Sequence, residues 1–415
     1  LSKQSKFHRA QTAPHCTNIP SSIKFYKGSF IVETESSTAV ESPGPSKYSI
    51  RIRISYIIST ISSTVPLSFN QTTVHFLTCR ALIYNMCSCY NRQTTTQAHF
   101  QHYNPFHKNI QHNKSQIFSI VSPPIMDIGA NLCSSMYAGI YKGKKIHTPD
   151  LEQVLKRARE NGVEKIVVTI GSLKDLKFIG KLKEDPNIFF TIGIHPTNGQ
   201  EFGPQAAKQI RQRFNNPKFV FYGEFGLDYD RLQLCPKEQQ ITAFKEQLVL
   251  AHESKLPLFL HCRNAADDFF KIINEAEHAL KCKFRGVVHS FTGNLQELQM
   301  CTHHGFSVSL NGCGMKTQEQ LNLIREIDIK QLMVETDCPY CMITPDRPSY
   351  KLVSEDFFKN AVAPESFAEN CVVKRRNEPG ALKMVCDVIA HVKGMKSEEV
   401  MRICKENAEK MIQPE

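Results

Sequence analysis

The chain has 415 residues, a formal charge of +11, 41% hydrophobic residues, 15 cysteines and no tryptophan. The charge is uneven: residues 1–125 hold 12 Lys and Arg against 3 acids, and residues 126–415 hold 39 against 37. No apolar run approaches the roughly 18–20 residues of a membrane span. The odd, dispersed cysteines exclude a disulfide scaffold and lead us to expect free thiols in a reducing compartment.

The front segment, 1–125, has two glycines, no Asp, and many Ser, Thr, Gln and Asn with no long amphipathic or alternating pattern. It receives no fold and reads as a disordered or artefactual extension. A basic, Ser-rich, acid-poor mitochondrial transit segment is the alternative. From Met126 onward strands and helices alternate. Strand one covers 125–131. A helix over 149–161 follows, with Thr148 as its N-cap, Leu151, Val154, Leu155 and Ala158 as its inner stripe, and Gly162 as its stop. Strand two is 165–170, with a helix over 173–183, and strand three is 188–194, with a helix over 204–214. Strand four is 219–228, with a helix over 237–254. Strand five is 256–261, with a helix over 265–280, and strand six is 284–289, with a helix over 295–303. Strand seven is 305–310, with a helix over 318–326, and strand eight is 331–335. Eight strands, apolar on both faces and separated by helices, call for a closed parallel (β/α)8 TIM-like barrel over 126–415.

Four of these strands end on metal-type ligands. FVFYGE ends on Glu224, LPLFLH on His261, FRGVVH on His289 and QLMVETD on Asp337. In a parallel barrel the C-terminal strand ends converge, so the four side chains point into one mouth. Two imidazoles and two carboxylates are the nitrogen and oxygen set that holds a divalent cation with positions left open. A lone His or Glu after an apolar run is more often a hydrogen-bonded rim residue, but four in series make chance a poor account.

The motifs GEFGLD, FLHCR, VVHSFTG, VETDCPY and RRNEP, with the opening MDIGANL, together resemble the TatD family of metal-dependent deoxyribonucleases in the metallo-dependent hydrolase superfamily. The likeness spans 126–412, and residues 341–374 are similar to the eukaryotic branch. It implies a barrel that hydrolyses DNA phosphodiester bonds with one or two divalent ions. It also implies that Glu224, His261, His289 and Asp337 are ligands, with Glu224 bridging if two ions bind. Many superfamily members carry H-x-H in strand one, where this chain has Gly129 and Asn131. A second ion then leans on Glu224, Asp337, water and Asp127, an oxygen-rich set that suits Mg²⁺ or Mn²⁺ better than Zn²⁺.

For the chemistry, Asp337 is either a ligand alone or also the group that orients the attacking water, and Glu224 stands with it. His195, in GIHP, either contacts phosphate or is a rim histidine. Arg263 either grips a phosphate oxygen through its fork or pairs with a loop. Arg375 and Arg376 are placed to contact phosphate, while Glu378 either stands behind the ligands or pairs with one of these arginines and serves only to fix the loop. Asp127, Asn131 and Asp228 read as hydrogen-bonding partners behind the ligands. Tyr229, Phe291 and Tyr340 are candidates to stack on bases. The near-neutral barrel argues against an extended grip on duplex and fits an exonuclease on ends or single strands. DNA is the expected partner, with no membrane and no obligate protein partner, in nucleus or cytoplasm with mitochondria as the alternative. Competing functional readings are hydrolysis of another ester or amide, such as an aminoacyl-RNA ester, and an inactive binding protein.

Overall fold

A computed structural model of the chain describes residues 123–413, apart from the side chain of Lys181, and the backbones of three short strands in the front segment. Those strands, Ser22–Lys24, Ile31–Thr34 and Ile52–Ser55, pair antiparallel and are short pieces in a segment expected to lack a fold. The rest of that expectation lies outside the described residues. The chain divides into two compact units, Leu1–Asn113 and Lys114–Glu415.

The second unit is an eight-stranded parallel barrel with its strands in chain order. They are β1 (Ile125–Ala130), β2 (Val163–Val168), β3 (Ile188–Ile192), β4 (Phe219–Asp228), β5 (Leu258–Arg263), β6 (Gly286–Val288), β7 (Ser307–Leu310) and β8 (Leu332–Val334). The outer helices are α1 (Leu151–Glu160), α2 (Pro204–Arg211), α3 (Lys237–Ser254), α4 (Ala266–Leu280), α5 (Leu295–His303), α6 (Gln318–Glu326), α7 (Leu382–Lys393) and α8 (Ser397–Ile412). The ring closes between β8 and β1, where Asp337 N–H donates to the Gly129 carbonyl (2.8 Å) and Asn131 N–H to the Cys338 carbonyl (2.7 Å).

Alternation along each strand sorts side chains between two cores. Phe221, Phe259, Val287 and Met333 fill the barrel interior, and Ala408, Met411 and Ile412 of α8 pack against that cluster. Tyr222, Leu258, Leu260, Val288, Leu332 and Val334 face the helices. Inward parity therefore runs Phe259–His261 on β5, Val287–His289 on β6 and Met333–Glu335 on β8, so the apolar plug gives way to polar groups at the upper ends.

Two local expectations fail. The helix over 173–183 is two 3-10 turns, Leu173–Lys177 and Lys181–Glu184, because Gly180 interrupts the run and leaves too few residues for a stable α-helix. Asp150, not Thr148, takes the cap position of α1, and its carboxylate bonds Arg376 instead of the helix.

Candidate active site

Glu224 breaks the parity of β4. In the pairing with β5, Gly223 opposes Phe259 and Phe225 opposes Leu260, so Glu224 is the extra residue of a bulge that turns its side chain toward the mouth. Gly223 and Gly226 have φ of 150° and 147°, and a Cβ on either would overlap a β5 carbonyl, that of Phe259 or His261. The sequence GEFG thus brings β4 close against β5 and aims the carboxylate.

Three atoms able to ligate a metal meet there. Glu224 Oε1 lies 2.8 Å from His261 Nδ1 and 2.7 Å from His289 Nε2, and the two nitrogens are 3.2 Å apart. Neighbouring donors on a six-coordinate ion with bonds of about 2.1 Å are about 3.0 Å apart, so the three atoms form one face of such a shell. All three residues are buried. Burial alone would raise the pKa of Glu224, but His289, His195 and the hydrogen bond from His261 hold it well below the usual range. Burial opposes protonation of His289, yet Glu224 and Glu335 push its pKa well up. This mutual attraction stands in for what a cation would do among these donors.

Each imidazole has a second carboxylate behind it, as metal-binding histidines usually do. His261 Nε2 lies 3.2 Å from Asp228 Oδ2, and His289 Nδ1 lies 3.4 Å from Glu335 Oε1. Glu335 is held by Ser309 Oγ and Asn311 Nδ2, both at 2.9 Å. We did not anticipate Glu335; its inward parity with Met333 was the available signal. At the first of the two H-x-H positions, a Cβ on Gly129 would begin 2.8 Å from Glu335 Oε2, which Ser309 Oγ holds in place.

His195 and Asp228 form a second donor grouping with His261, beside the Glu224–His261–His289 trio. His195 Nδ1 accepts from Thr197 N–H (3.1 Å) and bonds the Thr197 hydroxyl (2.6 Å), so its proton sits on Nε2, 3.4 Å from Glu224 Oε1. Burial, then the neighbouring His261 and His289 against the opposing Glu224, lowers its pKa to about 4 and makes it a neutral donor. Asp337 lies outside both groupings. Asn131 Nδ2 donates to its Oδ1 at 2.8 Å, Cys341 Sγ lies 3.1 Å from its Oδ2, and its φ is 50°. Burial raises its pKa to about 7, with Glu335 and Glu224 adding and His289 and Asn131 opposing.

Several expectations are corrected. Arg376 does not reach the mouth: it is 0% exposed and binds Asp150 through two bonds of 2.7 and 2.6 Å and Glu378 at 3.0 Å. Glu378 is equally buried and also takes two bonds from Arg157 (2.8 and 2.9 Å), so it fixes the loop and stands behind no ligand. Asp127 is turned away from the trio, accepting from Thr336 N–H (3.0 Å) and Thr336 Oγ1 (2.5 Å), which staples β1 to β8. Arg375 is exposed, with φ of 60°. Tyr229 bonds Asp268 (2.7 Å) under Lys237 and Phe291 is buried, which leaves Tyr340 (57% exposed) as the open aromatic of the three. Cys313 and Cys341 are joined as a disulfide, against the expectation of free thiols throughout.

A closed parallel barrel with imidazoles and carboxylates gathered at its C-terminal strand ends defines a metallo-dependent hydrolase. The family profile described as TatD related DNase matches residues 126–413, and the chain belongs to that family. It is 36% identical over 293 residues to the deoxyribonuclease Tat-D of Schizosaccharomyces pombe, covering 68% of this chain and 93% of that one. It is 32% identical over 292 residues to the 3'-5' ssDNA/RNA exonuclease TatD of Erwinia billingiae, covering 69% and 98%. The crystal structure of a hydrolase TatD family protein from Entamoeba histolytica matches with a TM-score of 0.66 at 32% identity, covering 71% of this chain and all of that one. Among the described residues, no helix is long and apolar enough to cross a membrane.

Proposed function

We propose that this chain is a divalent-metal-dependent nuclease that removes nucleotides from DNA ends, with single strands preferred. The observation that carries the reading is the convergence of Glu224 Oε1, His261 Nδ1 and His289 Nε2 within 3.2 Å of one another at three strand ends. Those residues would hold the ion, with Asp337 completing the set from β8. Oxygen donors from Glu224 and Asp337 favour Mg²⁺ or Mn²⁺ over Zn²⁺. When bound, the ion supplies an acidified water and charge neutralisation at phosphorus.

The chain's own groups supply the rest. His195 Nε2–H is a neutral donor aimed at the carboxylate and at any oxygen beside it. Asp337, pinned by Asn131, presents an oxygen that orients the attacking water and takes its proton. Arg263, two residues past His261, offers its fork to a phosphate oxygen. Asp228 and Glu335 keep the two imidazoles in place. Single-strand preference is supported by the likeness to the 3'-5' ssDNA/RNA exonuclease TatD of Erwinia billingiae and by the near-neutral barrel. Nine described cysteines are unpaired, which supports a nuclear or cytoplasmic setting. Incubating the protein with end-labelled single- and double-stranded DNA in Mg²⁺, Mn²⁺ or chelator tests the reading. Metal-dependent release of mononucleotides is expected, and no release in any metal would overturn it.

A further inference from the structure

The Cys313–Cys341 disulfide ties the loop after β7 to the loop after β8, at the mouth of the barrel. Its position against Asp337 is the informative feature. Cys341 Sγ lies 3.1 Å from Asp337 Oδ2, while Asn131 Nδ2 occupies the other oxygen of that carboxylate at 2.8 Å. Among the described residues, Oδ2 has no hydrogen-bonding neighbour besides this sulfur. A disulfide sulfur carries no proton, so in the oxidised chain Oδ2 is left for a cation or a water. A Cys341 thiol in the same place donates its S–H to Oδ2 and competes with both.

Two features make the bond reversible. The loops are held together without it: Gly312 packs so closely that a Cβ there would overlap the Cys341 carbonyl oxygen, and Arg347 Nη1 donates to the Gly312 carbonyl at 2.9 Å. The Cys313 N–H is fixed as well, donating to Asn311 Oδ1 at 2.8 Å. The two sulfurs therefore stay opposed after reduction, ready to rejoin. They are also within reach of solutes, because both cysteines are half-buried and Cys313 lines an open cleft at the ends of β5 and β6. Five of the nine unpaired described cysteines, by contrast, are buried.

We propose that Cys313 and Cys341 form a thiol–disulfide exchange site through which small thiols set the metal affinity and rate of the mouth: the oxidised pair leaves Asp337 Oδ2 open, and the reduced pair caps it. The assignment rests on the nuclease reading of Asp337 and deepens it. An incoming thiolate is repelled by the Asp337 carboxylate on the Cys341 side and attacks Cys313 Sγ from the cleft. The S–S bond breaks, Cys341 leaves with the electron pair and takes a proton from water, and a second thiol resolves the mixed disulfide at Cys313. Two small thiols are oxidised to one small disulfide while the chain gains two thiols, and exchange with that disulfide in the reverse direction restores the bond.

The full chain is equilibrated with reduced or oxidised glutathione, desalted, alkylated in part with N-ethylmaleimide for peptide mass mapping, and otherwise titrated with Mn²⁺ by calorimetry. Cys313 and Cys341 are expected to be labelled after reduced glutathione and linked after oxidised glutathione. The reduced form should bind Mn²⁺ roughly three- to tenfold more weakly, the worth of one hydrogen bond, and cleave a single-stranded oligonucleotide more slowly by a similar factor at subsaturating Mn²⁺. Cys313→Ser keeps the Cys341 thiol without the bond and should match the reduced wild type in both buffers. Cys341→Ala has neither bond nor S–H and should match the oxidised wild type in both. A pair that stays linked in reduced glutathione, or equal Mn²⁺ affinities of the two wild-type forms, overturns the proposal. Cys341→Ala binding as weakly as the reduced form also overturns it, by assigning the effect to the lost tether. Absence of Mn²⁺ binding in both forms overturns the metal reading itself, a result distinct from measurable and equal affinities, which overturn the switch alone.

Discussion

Replacing Arg376 with Met separates a structural arginine from a substrate-binding one. The guanidinium lies over the Tyr137 ring (5.1 Å) and is fully buried between Asp150, 1% exposed, and Glu378, 0% exposed. Arg157 shares the cluster through two bonds to Glu378 and a longer 3.6 Å approach to Asp150. Met keeps much of the volume, so packing loss is small; the cost is electrostatic. Glu378 keeps its two-pronged partner, but Asp150 loses both short bonds and is left buried with a distant cation. Breaking a buried pair costs about 3–5 kcal/mol, and the residual Arg157 contact places this variant near about 3 kcal/mol. At roughly 2–3 °C per kcal/mol for a domain of this size, Tm should fall by about 6–9 °C. Differential scanning calorimetry measures the fall, and oligonucleotide cleavage well below Tm should show KM within about twofold of wild type. A Tm within 2 °C of wild type together with a tenfold rise in KM would refute this account and return Arg376 to phosphate binding.

Asp337→Asn keeps the shape and a neutral oxygen but removes the base, so nuclease rate should drop roughly 10²-fold even at saturating metal; full rescue by excess metal would reduce Asp337 to a ligand. Asp127 has its pKa raised by burial to about 7 from 3.8. The folded state therefore binds its proton more tightly than the unfolded chain, a stabilisation fully present below pH 3.8 and lost as pH rises through 7. Asn at this position reproduces the protonated form, accepting from Gly129 and Thr336 N–H while donating to Thr336 Oγ1, so Asp127→Asn should be at least as stable as wild type at pH 8. Its Tm should lack the decline that this carboxyl contributes between about pH 4 and 7, and an unchanged slope would contradict the assignment. The Cys313–Cys341 bond closes a loop of 28 residues. Loop-closure entropy gives an upper value of about 3–4 kcal/mol, so Cys313→Ser, or reductant, should lower Tm by several degrees. Identical Tm for wild type with and without reductant would contradict a contribution from the bond.

Strand order and the meeting of Glu224, His261 and His289 were legible because four strands are apolar runs that stop on a metal-type side chain, and a parallel barrel turns sequence ends into one mouth. Glu224 was found by that rule although its delivery depends on a bulge, which shows only once β4 and β5 are paired. Glu335 escaped notice because it sits inside QLMVETD and Asp337, two residues later, drew attention; its inward parity with Met333 appears only when the interior is known. Arg376 was misread because RRNEP looks like an exposed basic loop, and its buried partner Asp150, like the Arg157 that holds Glu378, lies more than 200 residues away in sequence.

Hydrolysis is proposed to depend on an ion held by Glu224, His261 and His289. Mononucleotide release from end-labelled single-stranded DNA, followed across a Mn²⁺ titration for wild type and Glu224→Gln, tests it most directly. The expected result is a saturating wild-type curve abolished by chelator and, for Glu224→Gln, a curve displaced to higher metal with a lower plateau. Wild-type activity persisting in chelator, or superimposable curves for the two proteins, would contradict it.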